Sequence, residues 1–321
     1  QNFCISALNQ YTQNDFIRLV ESYNISFHEK KLGQLFCNNS SKDIINMLLK
    51  ECKKYKIKFN LKSNIRDISK LDNFFLVSTY QEIFKTASIV VASGGLSIPK
   101  IGATDIGYEI AKKFNIRIKQ TKPGLVPFKF NDKLLSLTKE LSGISVDCKV
   151  SLGKKKSFME GLLFTHKGIS GPSILQISSY WNDNQVIKVN LLPELNNLEI
   201  NSFNNVEFEK LINKFPKRLS SFFLKIINLE DEIKNVSKKK VNQISQFIRN
   251  WAIIPNKTEG YSKAEVTVGG IDTDELSSKT FEAKKVKGLF FIGEVIDVTG
   301  QLGGYNFQWA WSSGFVAGKN V

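Results

Sequence analysis

Apolar positions along the chain fall into two textures, and one gives way to the other near Pro127. Up to about Leu125, helical and strand patterns alternate. Asp15–Tyr23 has helical spacing. Lys42–Tyr55 repeats it, with Ile44, Ile45, Leu48 and Leu49 on one face and Ser41 placed as its cap. Lys56–Ser63, Ile65–Ser69 and Asn73–Thr79 alternate apolar with polar residues, as half-buried strands do. Ala87–Ala92 (ASIVVA) is continuously apolar and runs into Gly94 and Gly95, the pattern of a strand covered on both faces of a parallel sheet. A helix capped by Thr104 or Asp105 is predicted from there to Phe114.

Beyond Pro127, Leu141–Leu152, Gly161–Thr165 and Gln185–Leu192 read as strands, and Val206–Leu229 and Asp231–Trp251 as Lys-rich helices. Asn256–Tyr261 is polar and contains Gly260, as a linker would. Glu265–Val268 and Gly288–Ile292 then resume short apolar strands, and Asn306–Gly318 is an apolar terminal helix. The pattern predicts an α/β fold in two domains. One is discontinuous, residues 1–125 and 256–321, and the other, residues 126–255, is inserted into it.

A chain of 321 residues with 42% hydrophobic content can build a core for each domain. No apolar run reaches 18 residues and the start has no secretory pattern, so neither a membrane span nor export is expected, and the protein reads as cytoplasmic. Cys4, Cys37, Cys52 and Cys148 lie far apart with no histidine beside them, which predicts reduced thiols and no metal site. Lys and Arg number 45 against 30 Asp and Glu, a formal charge of +15 that draws anions through its long-range field. The lysines are spread, however, and the short runs Lys154–Lys156 and Lys238–Lys240 lack interleaved aromatics. Solvated lysine faces are therefore preferred to a nucleic-acid surface, which stays open as an alternative.

Gly288–Gly318 (GLFFIGEVIDVTGQLGGYNFQWAWSSGFVAG) carries the strongest chemical signal. A buried strand ends at Gly293, the acids Glu294 and Asp297 follow, and Gly300, Gly303 and Gly304 precede the helix that starts near Tyr305 and Asn306. Glycines let a ring or phosphate approach the backbone. A carboxylate just past a parallel strand sits where doubly wound sheets bind ligands and can accept from ribityl hydroxyls. The positive helix start can face an electron-rich carbonyl. Phe307, Trp309, Trp311 and Phe315 are read as interior filling. A second glycine turn, Ala92–Gly107 (ASGGLSIPKIGATDIG), contains Ser93, Gly94 and Gly95, and GxGxxG occurs nowhere in the chain. In Gly161–Pro172 (GLLFTHKGISGP), Pro172 opens a helix, and His166 reads equally as a general acid or substrate anchor and as a hydrogen-bonded loop residue. His28 reads as structural.

These segments, with AEVTVGGID at Ala264–Asp272 and the opening FCISALNQYTQNDF, resemble the bacterial NAD(P)/FAD-dependent oxidoreductases of the aminoacetone-oxidase-family FAD-binding group. The resemblance covers nearly the whole chain. It implies a glutathione-reductase-type FAD domain interrupted by a small β-barrel and a helical portion, with FAD as cofactor and NAD(P)H as co-substrate. It further implies that Glu294 lies near the ribityl and pyrophosphate groups and that Gly303–Asn306 pass under the flavin. Ser93 and Gly94 would lie near the adenosine half, the Ile65 backbone at adenine, and the His166 loop toward the substrate. Members of that group begin with a strand, a GxGxxG turn and a helix that hold the pyrophosphate. This chain starts after them, so weak or absent FAD binding is expected of it.

The leading expectation is an FAD-dependent oxidoreductase that moves hydride between NAD(P)H or a small organic substrate and an acceptor. Two alternatives stand beside it: a tRNA-modifying flavoprotein that binds RNA through its basic surface, and a truncated, non-catalytic remnant.

Overall fold

A computed structural model describes residues 2–194, 205–226 and 237–321. The chain divides into two compact units, Gln1–Lys122 with Thr267–Val321, and Pro123–Val266.

The discontinuous unit is built on a parallel strand pair, Ile89–Val91 and Leu289–Phe291, in register Ile89↔Leu289, Val90↔Phe290 and Val91↔Phe291. Leu289, Phe290 and Phe291 are all buried, as a continuously apolar strand requires. The partner strand is covered less completely, because among the described residues this sheet has two strands and Val90 is 38% exposed. The strands pack with helix Ile106–Lys113 and the terminal helix Tyr305–Gly318 around Phe75, Tyr108, Ala111, Val295, Trp309 and Val316. Beside them runs an antiparallel meander, Ile65–Leu71, Phe74–Thr79 and Ile83–Thr86.

The helix Lys42–Lys54 forms where its apolar spacing predicts, but Ser41 does not cap it: Ser41 is already helical, and the Ser40 hydroxyl accepts from the Lys42 N–H at 3.2 Å. Asp105 likewise makes no side-chain cap. Lys56–Ser63 is not a strand. Among the described residues its alternation pairs with no strand, and Ile57 and Phe59 are each 54% exposed and Leu61 is 80% exposed.

The other unit contains a seven-stranded antiparallel sheet in the order Trp251–Ile253, Ile187–Asn190, Ser145–Leu152, Lys156–Thr165, Gly168–Ser170, Phe128–Lys129, Lys257–Thr258. The two outer strands do not pair with one another, so among the described residues the sheet stays open and the expected barrel does not close. Asn256–Tyr261 is not merely a linker: Lys257–Thr258 hydrogen-bonds to Phe128–Lys129 as an edge strand, which carries this unit on to Val266. The Val206–Leu229 pattern is two helices, Asn205–Ile212 and Lys217–Ile226, interrupted at Pro216, which cannot donate within a helix. Helix Lys238–Arg249 lies within Asp231–Trp251, and residues 227–236 of these readings fall outside the described part. Phe164, Phe222, Phe223, Ile244, Ile248 and Trp251 fill the core. No described helix is long and apolar enough to cross a membrane.

Candidate functional site

The carboxyl ends of the two parallel strands open into the two glycine turns, and Thr267, the second residue of the strand Val266–Ile271, ties the turns together. The buried Thr267 N–H donates to Glu294 Oε1 at 2.7 Å. Its hydroxyl accepts from the Leu96 N–H at 2.8 Å and lies 3.1 Å from Ser97 Oγ. Three segments far apart in sequence thus share one hydrogen-bonded hub. Gly95 is what lets them approach: a Cβ there would stand 2.4 Å from Thr267 Oγ1 and 2.7 Å from Glu294 Oε1.

Glu294 is half-buried and aimed at this hub. Burial pushes its carboxyl above the usual range, and the Thr267 hydrogen bond only partly offsets that. Gly293, which precedes it, is clamped by the terminal helix: its N–H donates to Ser313 Oγ at 3.0 Å and its carbonyl accepts from Trp309 Nε1 at 3.0 Å. The turn that carries the Glu294 carboxyl is therefore tied to the terminal helix.

Asn306 closes the second glycine loop with both ends of its amide, accepting from the Gly300 N–H at 2.8 Å and donating to the Gly300 carbonyl at 3.2 Å. Gly303 and Gly304 adopt φ of +113° and +89°, which disfavour any side chain. Gly304 precedes the terminal helix without a side-chain cap, so the first-turn N–H groups of a 14-residue helix are left for another acceptor. Tyr305, 62% exposed, flanks that start.

The other sequence-predicted residues take no part in these hydrogen bonds. Asp297 pairs with Lys119 at 3.1 Å, and Lys119 also reaches Asp272 at 3.4 Å, which holds Asp297 in an ion network with Arg117. Ser93 and Gly94 line the first turn, with the Ser93 hydroxyl against Gly107. Ile65 is 40% exposed at the start of the meander, beside a register shift. His166 is exposed in the turn between Lys156–Thr165 and Gly168–Ser170, in the other unit. Its turn is held by Thr165 Oγ1, which accepts from the Lys167 and Gly168 N–H groups at 3.3 and 3.1 Å, yet among the described residues nothing hydrogen-bonds the His166 ring. His28 is tied to Asn38 at 2.7 Å.

The aromatic positions of the terminal helix do not all fill the interior. Trp309 is buried, whereas Phe307 is 68% and Phe315 40% exposed. Phe307 stacks on Trp311, which stacks on Phe16, while Tyr11 stacks on Phe315. Two residues that sequence reasoning passed over join the site. Thr267 lay unremarked inside AEVTVGGID. Gln34 lies along Gly303, where a Cβ would meet its Nε2 at 3.3 Å. Among the described residues no group of histidine, cysteine and carboxylates is arranged to hold a metal ion.

The family described as "HI0933-like protein Rossmann domain" matches residues 1–320. The chain is 42% identical to the ribosomal RNA dihydrouridine synthase of Escherichia coli (strain K12), over all of this chain and 82% of the relative. It is 43% identical to the ribosomal RNA dihydrouridine synthase of Haemophilus influenzae, with the same coverage. A 3-dehydro-bile acid delta(4,6)-reductase of Clostridium scindens is 24% identical over 99% of this chain and 82% of its own length. With its parallel strands, their glycine turns and a match that runs from the first residue to the last but one, the chain belongs to the HI0933-like Rossmann-domain family, whose fold is of the FAD-binding flavoprotein type.

Proposed function

We propose that this protein is a flavin-dependent reductase of uridine in ribosomal RNA. The observation that carries the proposal is the identity of 42 and 43%, over the whole chain, to two enzymes named for making dihydrouridine in ribosomal RNA. This reading replaces the small-molecule oxidoreductase as the leading one and moves RNA from a disfavoured partner to the substrate, with ribosomal RNA in place of tRNA. The bile acid reductase, at 24%, supports only the coarser theme of reducing a carbon–carbon double bond.

The residues fit a flavin nucleotide by their chemistry. A half-buried carboxylate at Glu294 can accept from hydroxyl groups, an uncapped helix start can accept negative charge, and the Gly303–Gly304 backbone presents no side chain. In the proposed reaction the C5–C6 double bond of uracil becomes a single bond, one carbon taking a hydride and the other a proton. Bound FAD, once reduced by NADH or NADPH, would supply the hydride, and solvent the proton. The chain's part is to hold and orient: Thr267 fixes the Glu294 carboxylate, Gly293 is clamped by Ser313 and Trp309, and Asn306 sets the loop that leads into the terminal helix.

The test is anaerobic incubation of the protein with FAD, NADH or NADPH and unmodified ribosomal RNA transcript, followed by mass spectrometry of the nucleosides. A uridine heavier by two hydrogens, dependent on both flavin and nicotinamide, is the expected product. Flavin reduction by nicotinamide with no change in the RNA would return the protein to small-molecule chemistry.

A further inference from the structure

Gln34 follows the single turn Lys31–Gly33 in a hairpin between the strands Phe27–Glu29 and Leu35–Cys37. The hairpin is stapled on every side. Lys30 N–H donates to the Gln34 carbonyl at 2.8 Å, Gln34 N–H to the Lys31 carbonyl at 3.3 Å, and Gly33 N–H to Glu29 Oε1 at 3.1 Å, while the Lys30 ammonium sits 3.8 Å from the Phe36 ring centre. From this support the Gln34 side chain lies along the Gly303 backbone, with Nε2, Cγ and Cδ at 3.3, 3.5 and 3.6 Å from where a Cβ would stand.

The residue is partly exposed, and among the described residues its carboxamide makes no hydrogen bond. Asn306, on the same loop, spends both ends of its amide on Gly300. The Gln34 amide oxygen and nitrogen are not sealed from solvent, so both are free to pair with a group from outside the chain. A carboxamide sets an N–H donor and a C=O acceptor side by side. Its complement is an imide edge, a C=O next to an N–H, and that edge occurs both on the uracil of RNA and on the pyrimidine part of a flavin.

The geometry points to Gln34 as a recognition residue that pairs its carboxamide with an imide edge presented at the Gly303–Gly304 loop. This inference rests on the uridine reductase reading above. The variants are Gln34→Ala, which removes the amide, and Gln34→Glu, which keeps its length and replaces the donor with an acceptor. Because no hydrogen bond among the described residues depends on the side chain, both should melt with the wild type.

FAD affinity and the visible spectrum of bound flavin are measured without RNA, and KM and kcat with ribosomal RNA. If the edge is the flavin's, both variants bind FAD about tenfold more weakly, the scale of a lost hydrogen bond, and the flavin band shifts. If it is uracil's, FAD binding and spectrum stay put while KM for RNA rises about tenfold and kcat holds. Variants indistinguishable from a wild type that binds FAD and reduces uridine overturn the inference, as does a Gln34→Glu variant that behaves as wild type while Gln34→Ala does not, since that leaves packing alone. A wild type that does neither overturns the reading beneath it.

Discussion

The place of Glu294, just past a buried strand and a glycine, was legible in the sequence; its partner Thr267 was not. Its side chain sits between two valines, and nothing in the sequence tells that its N–H meets a carboxylate 27 positions away. Gln34 was hidden for the same reason, since its partner loop lies nearly the whole chain distant. At this scale, removal of the carboxylate is expected to cost more than its neutralisation. Glu294→Ala leaves the buried Thr267 N–H without an acceptor, a loss of about 1–3 kcal/mol in urea unfolding, whereas Glu294→Gln keeps an oxygen there. The pH dependence has a definite sign. Burial raises the Glu294 carboxyl above its ordinary 4.5, so the folded state holds that proton more tightly than the unfolded one. The contribution is full below the ordinary value and is lost as pH rises through the folded one. Glu294→Gln should therefore gain on the wild type between acid and neutral pH, and unfolding curves at both check this; a constant difference would mean that the carboxyl titrates normally. His166 carries the opposite expectation. A general acid is worth 10²–10⁴-fold and is usually held by a second group. With its ring unsupported among the described residues, His166→Gln should lower kcat by less than about tenfold, and a larger loss would restore it as the proton source.

Among elements, runs that bury a face were readable and runs that do not were misleading. GLFFIG and ASIVVA became the paired parallel strands because continuous apolar sequence has no solvent face to offer. Lys56–Ser63 alternates just as well and forms nothing, because a strand exists only through a partner. The terminal helix shows the limit of composition, since its aromatics stack on one another and on Phe16 and Tyr11 while Phe307 stays mostly exposed. The approach of elements at Gly95 gives a sharp test. Gly95→Ala forces a methyl into space already held by Thr267 and Glu294. The turns must part, at about 1–3 kcal/mol of overpacking, and FAD retention should fall with the separated hub. A Gly95→Ala protein with unchanged melting and flavin binding would show that the hub is not needed to seat the cofactor.

For the whole molecule, two kinds of information were invisible in the pattern. The seven-stranded sheet includes the two-residue strands Phe128–Lys129 and Lys257–Thr258, too short for any period to mark, and whether its edges meet depends on strand tilt and stagger. The charge was visible but not its purpose, because lysines spread along a sequence can still act as one field in space. A net +15 raises the local concentration of any polyanion. If that field serves RNA, binding must release counterions, and each phosphate neutralised on a single strand contributes about 0.7 to the falling slope of log affinity against log salt. Ribosomal RNA stripped of protein should therefore bind with a slope steeper than about −2, the signature of several simultaneous lysine contacts. Filter retention across a salt series measures it. A slope near zero would leave the excess lysines as solvated surface, and recognition would then have to come from the RNA bases rather than from their phosphates.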